Sequence, residues 1–433
     1  MLQTKTTSET KTKTKTKTKT PVLLFFAIGM LFHASGLLAR ELPEMPQWLS
    51  GGAPAAEPEL FSDVAIVLEA ETGAVLYEKR ADDVVPPASL TKVMTIHLVL
   101  ESARDGAISL DERFEVPPEA WARNMPPGSS LMFLGPGQHV SLRRLTEGLA
   151  VASGNDAAVA VALRIAGSVE GFVDLMNQEA DRLGYEVMEF SDPAGLRPTN
   201  RITAREYADF LRYHINRWPE ALGEVYAKPR IVYPTQENFD TGMIGGPVQQ
   251  ENRNPLLLEY PGVDGIKTGY IWSSGYNLAV SAERDGMRLI VVTLGAHADS
   301  AAAGMRQRAA DGATLLDHGF ENYSLAHPNS PRLEPLRVWN GVENHVTPVA
   351  DEQVSALVVP KGREDDVRVT ARFNEKEPVA PLQEHGALGT LEYRLDDTLI
   401  KEVPLVAEKR VEEAGFLKRL WHSIKRFASR LFG

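Results

Sequence analysis

Three short motifs in this chain combine side chains that can carry out nucleophilic chemistry. They are Ser89-Leu-Thr-Lys92, Ser153-Gly-Asn155 and Lys267-Thr268-Gly269. A serine hydroxyl needs a base before it can attack a carbonyl carbon at neutral pH, and a lysine can be that base when its neutral form is populated. Together the motifs predict a serine nucleophile that is activated by lysine and that forms a covalent acyl intermediate.

Ser89 is distinguished from other Ser-x-x-Lys matches by its context. Two prolines end an extended segment just before it, and the apolar residues that follow predict a buried helix from Leu90 to Arg104. The three-residue spacing puts Ser89 and Lys92 on one face of this helix. A second match, Ser8-Glu-Thr-Lys11, lies in a low-complexity leader without such context. A serine at a helix start can also be a simple N-cap, and this alternative stays open.

Lys92 can act as a base only if its pKa is lowered. Desolvation and a neighbouring cation both disfavour the ammonium form of a lysine. We expect Lys267 to be that cation, provided that its strand lies beside the Ser89 helix. In the same interpretation Ser153 relays a proton between the two lysines and the leaving amine, and Asn155 orients Lys92 and binds the substrate's amide. The structural alternative for Ser153-Gly-Asn155 is an ordinary turn.

The Lys267-Thr268-Gly269 motif is expected at an exposed sheet edge, where a peptide substrate can add as an extra strand. Gly269 would let the peptide approach the strand closely, and Thr268 offers a hydroxyl group. The backbone N–H groups of Ser89 and Tyr270 would form the oxyanion hole. The structural alternative is a strand start with a glycine bulge.

The elements around the motifs predict a mixed α/β (α+β) fold with a central sheet. Strands are predicted at Val64–Leu68 and Ala74–Tyr77, and again late in the region at Val263–Thr268, Tyr276–Ala282 and Leu289–Leu294. Residues 143–216 between them are mainly helical, and a further helix is predicted from Ala301 to Leu316. Helices in the middle with strands at both ends predict a sheet whose first and last strands meet in space.

The sequence pattern changes from mainly helical to strand-rich at about residue 325. Short strands between Pro, Gly and Asp turns, including Val354–Val359, Val367–Phe373 and Leu388–Leu395, predict a small separate β domain. Segment Gly415–Gly433 then places large apolar residues at helical spacing, and all its charged residues are basic. This pattern is typical of a helix that lies in a membrane interface and is attracted by anionic lipids. A helix docked on its own domain is the alternative.

The N-terminal residues predict export from the cytoplasm. Residues 1–20 are a positively charged Lys-Thr repeat, and Pro21–Leu38 is an apolar run. This combination predicts a signal peptide over 1–39, with an uncleaved anchor as the alternative. The predicted order is then a linker at 40–60, a catalytic domain at 61–323, a β domain at 324–410 and an amphipathic helix at 411–433.

Composition excludes several other classes of function. The net charge of -12 argues against a nucleic-acid-binding protein, which needs a basic face. The absence of cysteine excludes disulfides, a thiol nucleophile and cysteine-ligated zinc. The ten histidines are scattered without a His-Glu-x-x-His motif, so the sequence predicts no metal site and no cofactor.

With their flanks, the motifs resemble those of serine-type D-alanyl-D-alanine carboxypeptidases, the low-molecular-mass penicillin-binding proteins. The similarity runs from about residue 60 to the C-terminus. The matching segments are Pro87-Ala-Ser-Leu-Thr-Lys-Val-Met-Thr95, Met176-Asn177, Leu183-Gly184, Ala194-Gly-Leu196, Thr203-Ala204 and Val263-Asp-Gly-Ile-Lys-Thr-Gly-Tyr270. The resemblance implies a β-lactamase-like catalytic domain with a central antiparallel sheet and a helical subdomain, followed by a small all-β domain and a C-terminal amphipathic helix.

The resemblance also implies roles for individual residues. Ser89 would be the acylated nucleophile and Lys92 its base, with Ser153, Asn155 and Lys267 as proton-relay and orienting groups. The family places an arginine ahead of a helix end that here is Leu315-Leu-Asp-His-Gly-Phe320. Arg308 is the best match and would bind the substrate's terminal carboxylate through its guanidinium fork, with Arg306 as its rival.

Two residues depart from the family pattern. Tyr270 stands where many members have histidine, and Ile271 where threonine is frequent. Because the expected oxyanion donor is a backbone N–H, these changes leave the chemistry intact and bear on substrate preference and deacylation rate.

The implied activity is removal of the terminal D-alanine from peptidoglycan stem pentapeptides, with covalent inhibition by β-lactams. The enzyme would be periplasmic and peripherally attached by its C-terminal helix to the outer face of the cytoplasmic membrane. Three alternatives remain: a D,D-endopeptidase, a β-lactamase, and a catalytically silent cell-wall-binding factor. The chain contains no Glu-x-x-Leu-Asn segment of the kind that positions the deacylating water in class A β-lactamases.

Overall fold

The computed structural model describes residues 42, 44, 45, 57–236, 238 and 247–432. The predicted signal segment, 1–39, and most of the predicted linker, 40–60, lie outside these residues. Within the described part of the chain, no helix combines the length and the apolar character needed to cross a bilayer.

A five-stranded antiparallel sheet lies at the centre of the first domain, in the order β2-β1-β9-β8-β7. Its strands are β1 (Val64–Glu69), β2 (Val75–Lys79), β7 (Val263–Ile271), β8 (Gly275–Arg284) and β9 (Met287–Ala296). Pairing of β1 with β9 runs from Val64 opposite Leu294 to Glu69 opposite Leu289. The predicted meeting of the first and last strands is therefore confirmed, and so are the predicted strands, each of which is slightly longer in the structure.

The sheet is covered on both faces because successive side chains of a strand point to opposite sides. Val64, Ile66 and Leu68 of β1 belong to the larger core, beneath the helical subdomain. Ala65 and Val67 belong to a second core, beneath the long helix near the end of the domain. Strand β7 is paired only with β8 in the sheet, so the Lys267-Thr268-Gly269 motif lies on an edge strand as predicted.

Helices occupy the middle of the domain, as predicted. They are α1 (Lys92–Arg104), α2 (Leu142–Ala150), α3 (Asn155–Ala166), α4 (Val169–Arg182), α5 (Ala204–Arg217), the short α6 (Leu256–Glu259) and α7 (Ala301–Asn322). Side chains of Ser141, Ser168, Thr203 and Ser300 cap α2, α4, α5 and α7 by accepting the N–H three residues on. Short strand pairs connect these helices: β3 (Arg113–Glu115) with β4 (His139–Ser141), and β5 (Arg230–Val232) with β6 (Gln249–Glu251).

Two helices differ from their predicted bounds in ways that affect the site. Helix α1 begins at Lys92, two residues later than predicted, because Ala88–Thr91 forms a separate 3-10 turn. Helix α7 continues to Asn322, six residues beyond the predicted end. Every residue of α1 from Lys92 to Leu100 is buried, so the helix that carries the predicted base runs through the core.

The second domain is built from short strands, as predicted. They are β10 (Tyr323–Ala326), β11 (Leu336–Arg337), β12 (His345–Val346), β13 (Pro348–Ala350), β14 (Leu357–Pro360), β15 (Val367–Phe373), β16 (Ala387–Leu395) and β17 (Thr398–Ala407). Four of them form an antiparallel sheet in the order β13-β17-β16-β15. Strand β17 was not predicted, although it lies in the interior of this sheet. The C-terminal helix is present as α8 (Phe416–Phe432).

Candidate active site

A cavity of about 930 Å³ brings the three motifs together. It is lined by Ser89 from the 3-10 turn, Ser153 from the loop before α3, Thr268 and Gly269 from β7, and Arg308 from α7. These residues are separated by up to about half the chain in sequence. They meet because β7 is the sheet edge that lies beside the Ser89 turn.

Ser89 sits in a strained turn and is available for chemistry. The preceding Ala88 has a φ of 51°, a left-handed conformation that a non-glycine residue adopts only when its surroundings impose it. Neither the turn nor α1 is capped by a side chain, so the N-cap alternative for Ser89 is wrong. Instead, Ser89 Oγ accepts a hydrogen bond of 2.9 Å from Lys92 Nζ. The predicted proximity of the two side chains is thus confirmed.

Lys92 is fully buried and uses all three of its donor positions. Besides Ser89 Oγ, its Nζ donates to Asn155 Oδ1 at 2.8 Å and to the Ala194 carbonyl oxygen at 2.6 Å. Burial lowers the pKa of Lys92 to about 7; Asp192 and Asp156 oppose this shift, whereas Arg253 adds to it. A substantial fraction of Lys92 is therefore neutral near pH 7, and a neutral Nζ has a lone pair for the Ser89 proton.

Lys267 and Lys92 repel each other as expected, and this repulsion contributes to the lowered pKa of Lys267. Arg253, which lines the cavity, is a further cation that lowers the Lys92 pKa, and it was not predicted. Lys267 is itself buried, and its own pKa is lowered, first by desolvation and then by Lys92, Arg253 and Arg308. Its Nζ donates to the Thr268 carbonyl oxygen at 3.0 Å. Arg253, Arg306 and Arg308 thus line the cavity, and burial drives both nearby lysines toward their neutral forms.

Gly269 also makes a close contact within the protein that was not predicted. A Cβ at this position would lie 2.9 Å from the Pro87 carbonyl oxygen and 3.2 Å from the Ser89 nitrogen. The close neighbour of Gly269 is therefore the Ser89 turn of the protein itself. This contact brings the Ser89 N–H next to β7, as a shared oxyanion hole with the Tyr270 N–H requires.

Two further residues hold the Ser89 turn against the sheet, and sequence analysis did not identify either role. Asn277 of β8 is fully buried; its Nδ2 donates to the Pro86 carbonyl oxygen at 3.1 Å, and its Oδ1 accepts from the Gly295 N–H at 3.0 Å. Gly195 has a φ of 79°, and a Cβ there would lie 1.7 Å from the Ala88 carbonyl oxygen. Sequence carries little signal for such residues because they act on backbone atoms far away in the chain.

Asp192 organises the loop that faces Lys92. Its Oδ1 accepts the N–H groups of Ala194 and Gly195 at 2.8 and 2.7 Å, and its Oδ2 accepts the Arg197 N–H at 2.8 Å. These bonds fix the peptide unit whose carbonyl oxygen accepts from Lys92. Asp192 is buried, so its negative charge also favours the ammonium form of Lys92.

Ser153 and Asn155 flank the start of α3 and face the site. Ser153 is buried, lines the cavity and has a φ of 57°, a second left-handed non-glycine residue at the site. Asn155 orients Lys92 through the 2.8 Å bond, as predicted. The next residue, Asp156, accepts the N–H groups of Met132 and Leu134 at 2.8 and 3.0 Å, which secures the loop on the opposite wall.

Arg308 is a buried guanidinium, and no described residue is its acidic partner. It is 4% exposed, and its Nη1 and Nη2 donate to the carbonyl oxygens of Gly269 and Arg253, both at 3.3 Å. Its Nε has no hydrogen-bond partner among the described residues. Burial, reinforced by Arg253, lowers the pKa of Arg308 to about 10. The rival Arg306 lines the same cavity but is exposed.

Other predicted site residues also line the cavity. Thr268 is buried there, and Tyr270 is half exposed at its edge. Among the described residues, no group of three His, Asp or Glu side chains is placed to hold a metal ion. The cavity therefore offers a hydroxyl nucleophile, a partly neutral lysine, paired backbone donors and uncompensated positive charge. This set is suited to acyl transfer from a substrate with a free carboxylate.

Comparisons with known protein families match both domains. The D-alanyl-D-alanine carboxypeptidase family matches residues 52–298, and the C-terminal domain of penicillin-binding protein 5 matches residues 320–413. The D-alanyl-D-alanine carboxypeptidase DacC of Escherichia coli is 34% identical over 382 residues, which are 87% of this chain and 90% of that protein. A D-alanyl-D-alanine endopeptidase of Pseudomonas aeruginosa is 34% identical over 155 residues, which are 36% of this chain and 48% of that protein.

Solved structures show the same similarity in three dimensions. Penicillin-binding protein 5 of Haemophilus influenzae superposes with a TM-score of 0.72 at 31% identity, over 83% of this chain and 100% of that structure. A penicillin-binding protein of Listeria monocytogenes in its ampicillin-bound form superposes with a TM-score of 0.52 at 30% identity, over 61% of this chain and 100% of that structure.

Proposed function

This chain belongs to the D-alanyl-D-alanine carboxypeptidase family and is a serine D,D-carboxypeptidase, and we propose that it acts on peptidoglycan stem pentapeptides through an acyl-enzyme on Ser89. One observation carries the assignment of residues. A fully buried lysine with a pKa of about 7 donates a 2.9 Å hydrogen bond to a serine hydroxyl in a cavity that also holds an unpaired arginine.

Acylation begins with proton transfer from Ser89 to Lys92. In its neutral form Lys92 Nζ accepts the hydroxyl proton as Ser89 Oγ attacks the carbonyl carbon of the penultimate D-alanine. The negative charge that develops on the carbonyl oxygen is stabilised by the N–H groups of Ser89 and Tyr270. The proton then passes through Ser153 to the leaving amine, with Lys267 close to the relay, and the C–N bond breaks to release D-alanine.

Deacylation reverses these roles. A water molecule attacks the Ser89 ester, Lys92 accepts a proton from it, and the proton returns to Ser89 Oγ as the C–O bond breaks. Asn155 and the Ala194 carbonyl hold Lys92 in position during both steps. These two acceptors stabilise the ammonium form of Lys92 that arises in each half-reaction. Burial disfavours that form and so promotes the return of Lys92 to its neutral state.

Specificity for a terminal residue comes from Arg308. A peptide that occupies the edge of β7 would place its C-terminal carboxylate near the guanidinium, whose Nε lacks any partner among the described residues. A charge-assisted hydrogen bond there offsets the cost of keeping a buried arginine unpaired. The same cationic cavity suits the carboxylate of a β-lactam, and this supports covalent inhibition, given the ampicillin-bound relative.

The nucleophile can be tested with a Ser89→Ala variant. We expect it to lose labelling by a fluorescent penicillin and to release no D-alanine from a stem pentapeptide. A Ser102→Ala variant, in the helix that carries Lys92 but not among the residues that line the cavity, is the matched control and should keep both activities. Labelling that persists in Ser89→Ala would overturn the assignment. Cleavage of cross-linked muropeptides instead of pentapeptides would favour an endopeptidase, and rapid penicillin turnover would favour a β-lactamase.

Helix α8 supports attachment to a membrane surface. Its large apolar side chains between Phe416 and Ile424 are exposed, from 49% at Leu420 to 80% at Leu417. Its polar face makes the contacts to the β domain: His422 Nδ1 accepts from the Asn340 N–H at 2.9 Å, and Lys418 Nζ donates to the Val342 carbonyl oxygen at 2.7 Å. A helix docked on its own domain would bury the apolar side chains, so this arrangement favours a lipid-facing role.

The proposed location is the periplasm, peripherally on the outer face of the cytoplasmic membrane. The proposed domains are a signal peptide at 1–39, a linker at 40–60, a catalytic domain at 61–323, a β domain at 324–410 and the anchoring helix at 411–433. Vesicle sedimentation tests the anchor: protein that begins after residue 39 should bind anionic vesicles, and truncation before Gly415 should abolish binding. Equal binding of both forms would show that the helix is not the anchor.

A further inference from the structure

Two buried histidines lie in the core of the helical subdomain, outside the catalytic cavity around Ser89, and the mechanism uses neither of them. His97 belongs to α1, the helix that begins at Lys92, and His214 belongs to α5; both are fully buried. Their Nδ1 atoms are 3.1 Å apart. We propose that this histidine pair is an acid-sensitive lock between α1 and α5. The lock stays closed while the two rings together carry at most one added proton, and it opens when both rings become charged. The inference does not depend on the reaction or the substrate proposed above.

The pair lies in the middle of a hydrogen-bonded chain that links four elements. His97 Nε2 is 3.1 Å from Glu179 Oε1 of α4, and His214 Nε2 is 2.8 Å from the Tyr226 hydroxyl oxygen. Tyr226 is buried at the end of a π-helical turn, Leu222–Tyr226. Each ring nitrogen of the pair therefore has one partner, and the chain runs from α4 through α1 and α5 to the π-helical turn.

The closed chain has room for a limited number of hydrogens. Glu179 accepts when ionised, so His97 Nε2 carries a hydrogen. With both rings neutral, His97 Nδ1 then accepts from His214 Nδ1–H, and His214 Nε2 accepts from the Tyr226 hydroxyl. One added proton also fits, because a charged His97 donates from both nitrogens and His214 then donates from Nε2 to the Tyr226 oxygen. In both states each of the three contacts holds one hydrogen.

A second added proton has no place in the closed pair. It would put hydrogens on both Nδ1 atoms, which face each other at 3.1 Å with no acceptor between them. It would also place two imidazolium charges side by side in the core, where the chain contacts a single carboxylate, that of Glu179. Burial, reinforced by His97, accordingly lowers the pKa of His214 well below its usual value. Acid therefore favours an open state in which both rings reach water, because each ring can bind its own proton there.

The described groups around the pair do not supply a second counter-charge. Besides the members of the chain, the charged and titratable side chains near it on α1, α4 and α5 are Glu101, Arg104, Arg182, Tyr213 and Arg217. The Glu101 carboxylate is already paired with Arg104 at 2.7 Å and with Arg217 at 3.0 Å. Arg182 lies 2.6 Å from Glu179 and shares its negative charge. A tyrosine is uncharged in acid, so the neighbouring Tyr213 adds no negative charge. A second imidazolium would therefore have no carboxylate of its own among the described residues.

The lock is connected to the catalytic cavity on two sides. Helix α1 begins at Lys92 and continues through His97 within the core. Beyond Tyr226, Asn252 Nδ2 donates to the carbonyl oxygens of Tyr226 and Lys228, at 3.3 and 3.0 Å, and Asn252 lines the cavity. Opening of the pair therefore frees the helix that carries the proposed base and the segment that forms this part of the wall. We expect the opening to stay within the catalytic domain, since the β domain has hydrophobic cores of its own.

Hydrogen exchange of the wild-type protein tests the lock. For peptides of α1, α5 and the π-helical turn, the equilibrium constant for opening, corrected for intrinsic exchange, should rise by at least about tenfold between pH 7.5 and pH 5.5. One proton that binds only the open state, with the ordinary histidine pKa of about 6.5, accounts for about tenfold. Opening constants in α1 and α5 that are equal at the two pH values would overturn the proposal. A rise of the same size in peptides of β15 to β17 would show global unfolding instead of a lock, and would also overturn it.

Two variants identify the group that binds the proton. Neither can titrate at this position: His214→Asn keeps an N–H for His97 Nδ1, and His214→Gln keeps an acceptor for the Tyr226 hydroxyl. In each variant the rise between pH 7.5 and pH 5.5 should be about tenfold smaller than in the wild type. His139→Asn, which removes an exposed histidine outside the chain, is the matched control and should keep the wild-type rise. A full rise in both His214 variants would overturn the proposal.

Nitrogen NMR of isotope-labelled histidine side chains gives a measurement that needs no substitution. The pair can be recognised by nitrogen–nitrogen coupling across its shared hydrogen. At pH 5.5 the folded protein should keep this coupling and one neutral ring in the pair, whereas an ordinary exposed histidine is mostly charged at that pH. Absence of the coupling at pH 7.5, or two charged rings in the folded protein at pH 5.5, would overturn the proposal.

Discussion

Two almost fully buried arginines of the catalytic domain have opposite surroundings. Arg205 at the start of α5 donates to both carboxylate oxygens of Asp82, at 2.7 and 2.9 Å, and pairs with Glu78 at 2.8 Å. Hydrogen bonds to these carboxylates raise its pKa. Arg308 has no carboxylate within ion-pair distance among the described residues, and burial lowers its pKa to about 10. The two residues differ in whether the protein itself supplies the counter-charge.

The difference is that expected between a cation that stabilises the fold and one that binds a ligand. A buried charge is costly unless it is paired, so an unpaired one persists where a ligand completes it. Lys92 and Lys267 follow the pattern of Arg308: both are buried, and both have lowered pKa values. The catalytic cavity therefore concentrates unpaired cations, while Arg205 holds the β1–β2 hairpin to the helical subdomain. The predictions below test this distinction.

Replacing Lys92 by methionine should have the largest effect. The variant keeps most of the side-chain volume but loses the base, so acylation by a β-lactam should slow about a thousandfold, as is typical for loss of a general base. In the wild type, the acylation rate should rise with pH through about 7, because the neutral form of Lys92 is the active one. Stopped-flow measurements from pH 5.5 to 9 would follow this rise.

The residual rate of the Lys92→Met variant provides the control. It should lack the rise near pH 7, since the titrating group is gone. A variant that reacts slowly but keeps the same pH profile would show that another group is the base.

Replacing Arg308 by methionine should have the next largest effect. We expect it to weaken binding of the substrate. Loss of a charge-assisted contact should lower kcat/KM about a hundredfold for a peptide with a free C-terminal carboxylate. A peptide that ends in D-alaninamide should be affected much less. At the same time the thermal midpoint should stay equal or rise, because an unpaired buried charge has been removed.

Arg306→Met is the matched control for this measurement. Arg306 lines the same cavity but is exposed, so its loss should change kcat/KM only a few-fold. If the preference for a free carboxylate disappears in Arg306→Met and persists in Arg308→Met, then Arg306 and not Arg308 binds the carboxylate.

Replacing Arg205 by methionine should have the opposite pattern to Arg308. The change leaves Asp82 and Glu78 without their partner and should lower the free energy of unfolding by about 2 kcal/mol. Penicillin labelling of the folded fraction should be retained, because Arg205 does not line the cavity. Urea unfolding checks the first expectation. An Arg205→Met protein that is fully stable but inactive would remove the contrast between the two arginines.

Sequence identified the residues that we propose to react, but only some of those that position them. Ser89, Lys92 and Lys267 occur in motifs whose spacing carries chemical meaning, and alternating apolar residues gave the strands that hold them. Arg253, Asp192 and Asn277 lie outside any motif. Their effects depend on contacts between distant segments, such as Asn277 with the Pro86 carbonyl oxygen, 191 residues away. The local sequence pattern does not predict such long-range contacts.

The fold shows the same division between local and long-range information. Strands β1, β8 and β9 were predicted because their runs of buried residues are local signals. Strand β17 was missed because Pro404 and the charged pair Lys401 and Glu402 interrupt its pattern, yet β16 and β13 pair with it on either side. The 3-10 turn at Ala88–Thr91 was missed for a different reason. Its shape is imposed by Gly195 and Gly269, which press on it from two other segments.

The smallest expected effect concerns stability and pH. Lys92 has a pKa of about 7 in the folded protein, against about 10.4 for an unperturbed lysine. Between these values the unfolded chain binds more protons than the folded one, so this residue makes stability rise with pH. From pH 7 to 8.5, the wild type should gain about 1.5 kcal/mol of unfolding free energy relative to Lys92→Met. Parallel urea titrations of the two proteins at both pH values would measure this difference. Equal pH dependence in the two proteins would mean that Lys92 keeps an ordinary pKa in the fold, and the distinction between paired and unpaired buried cations would then rest on Arg308 and Lys267.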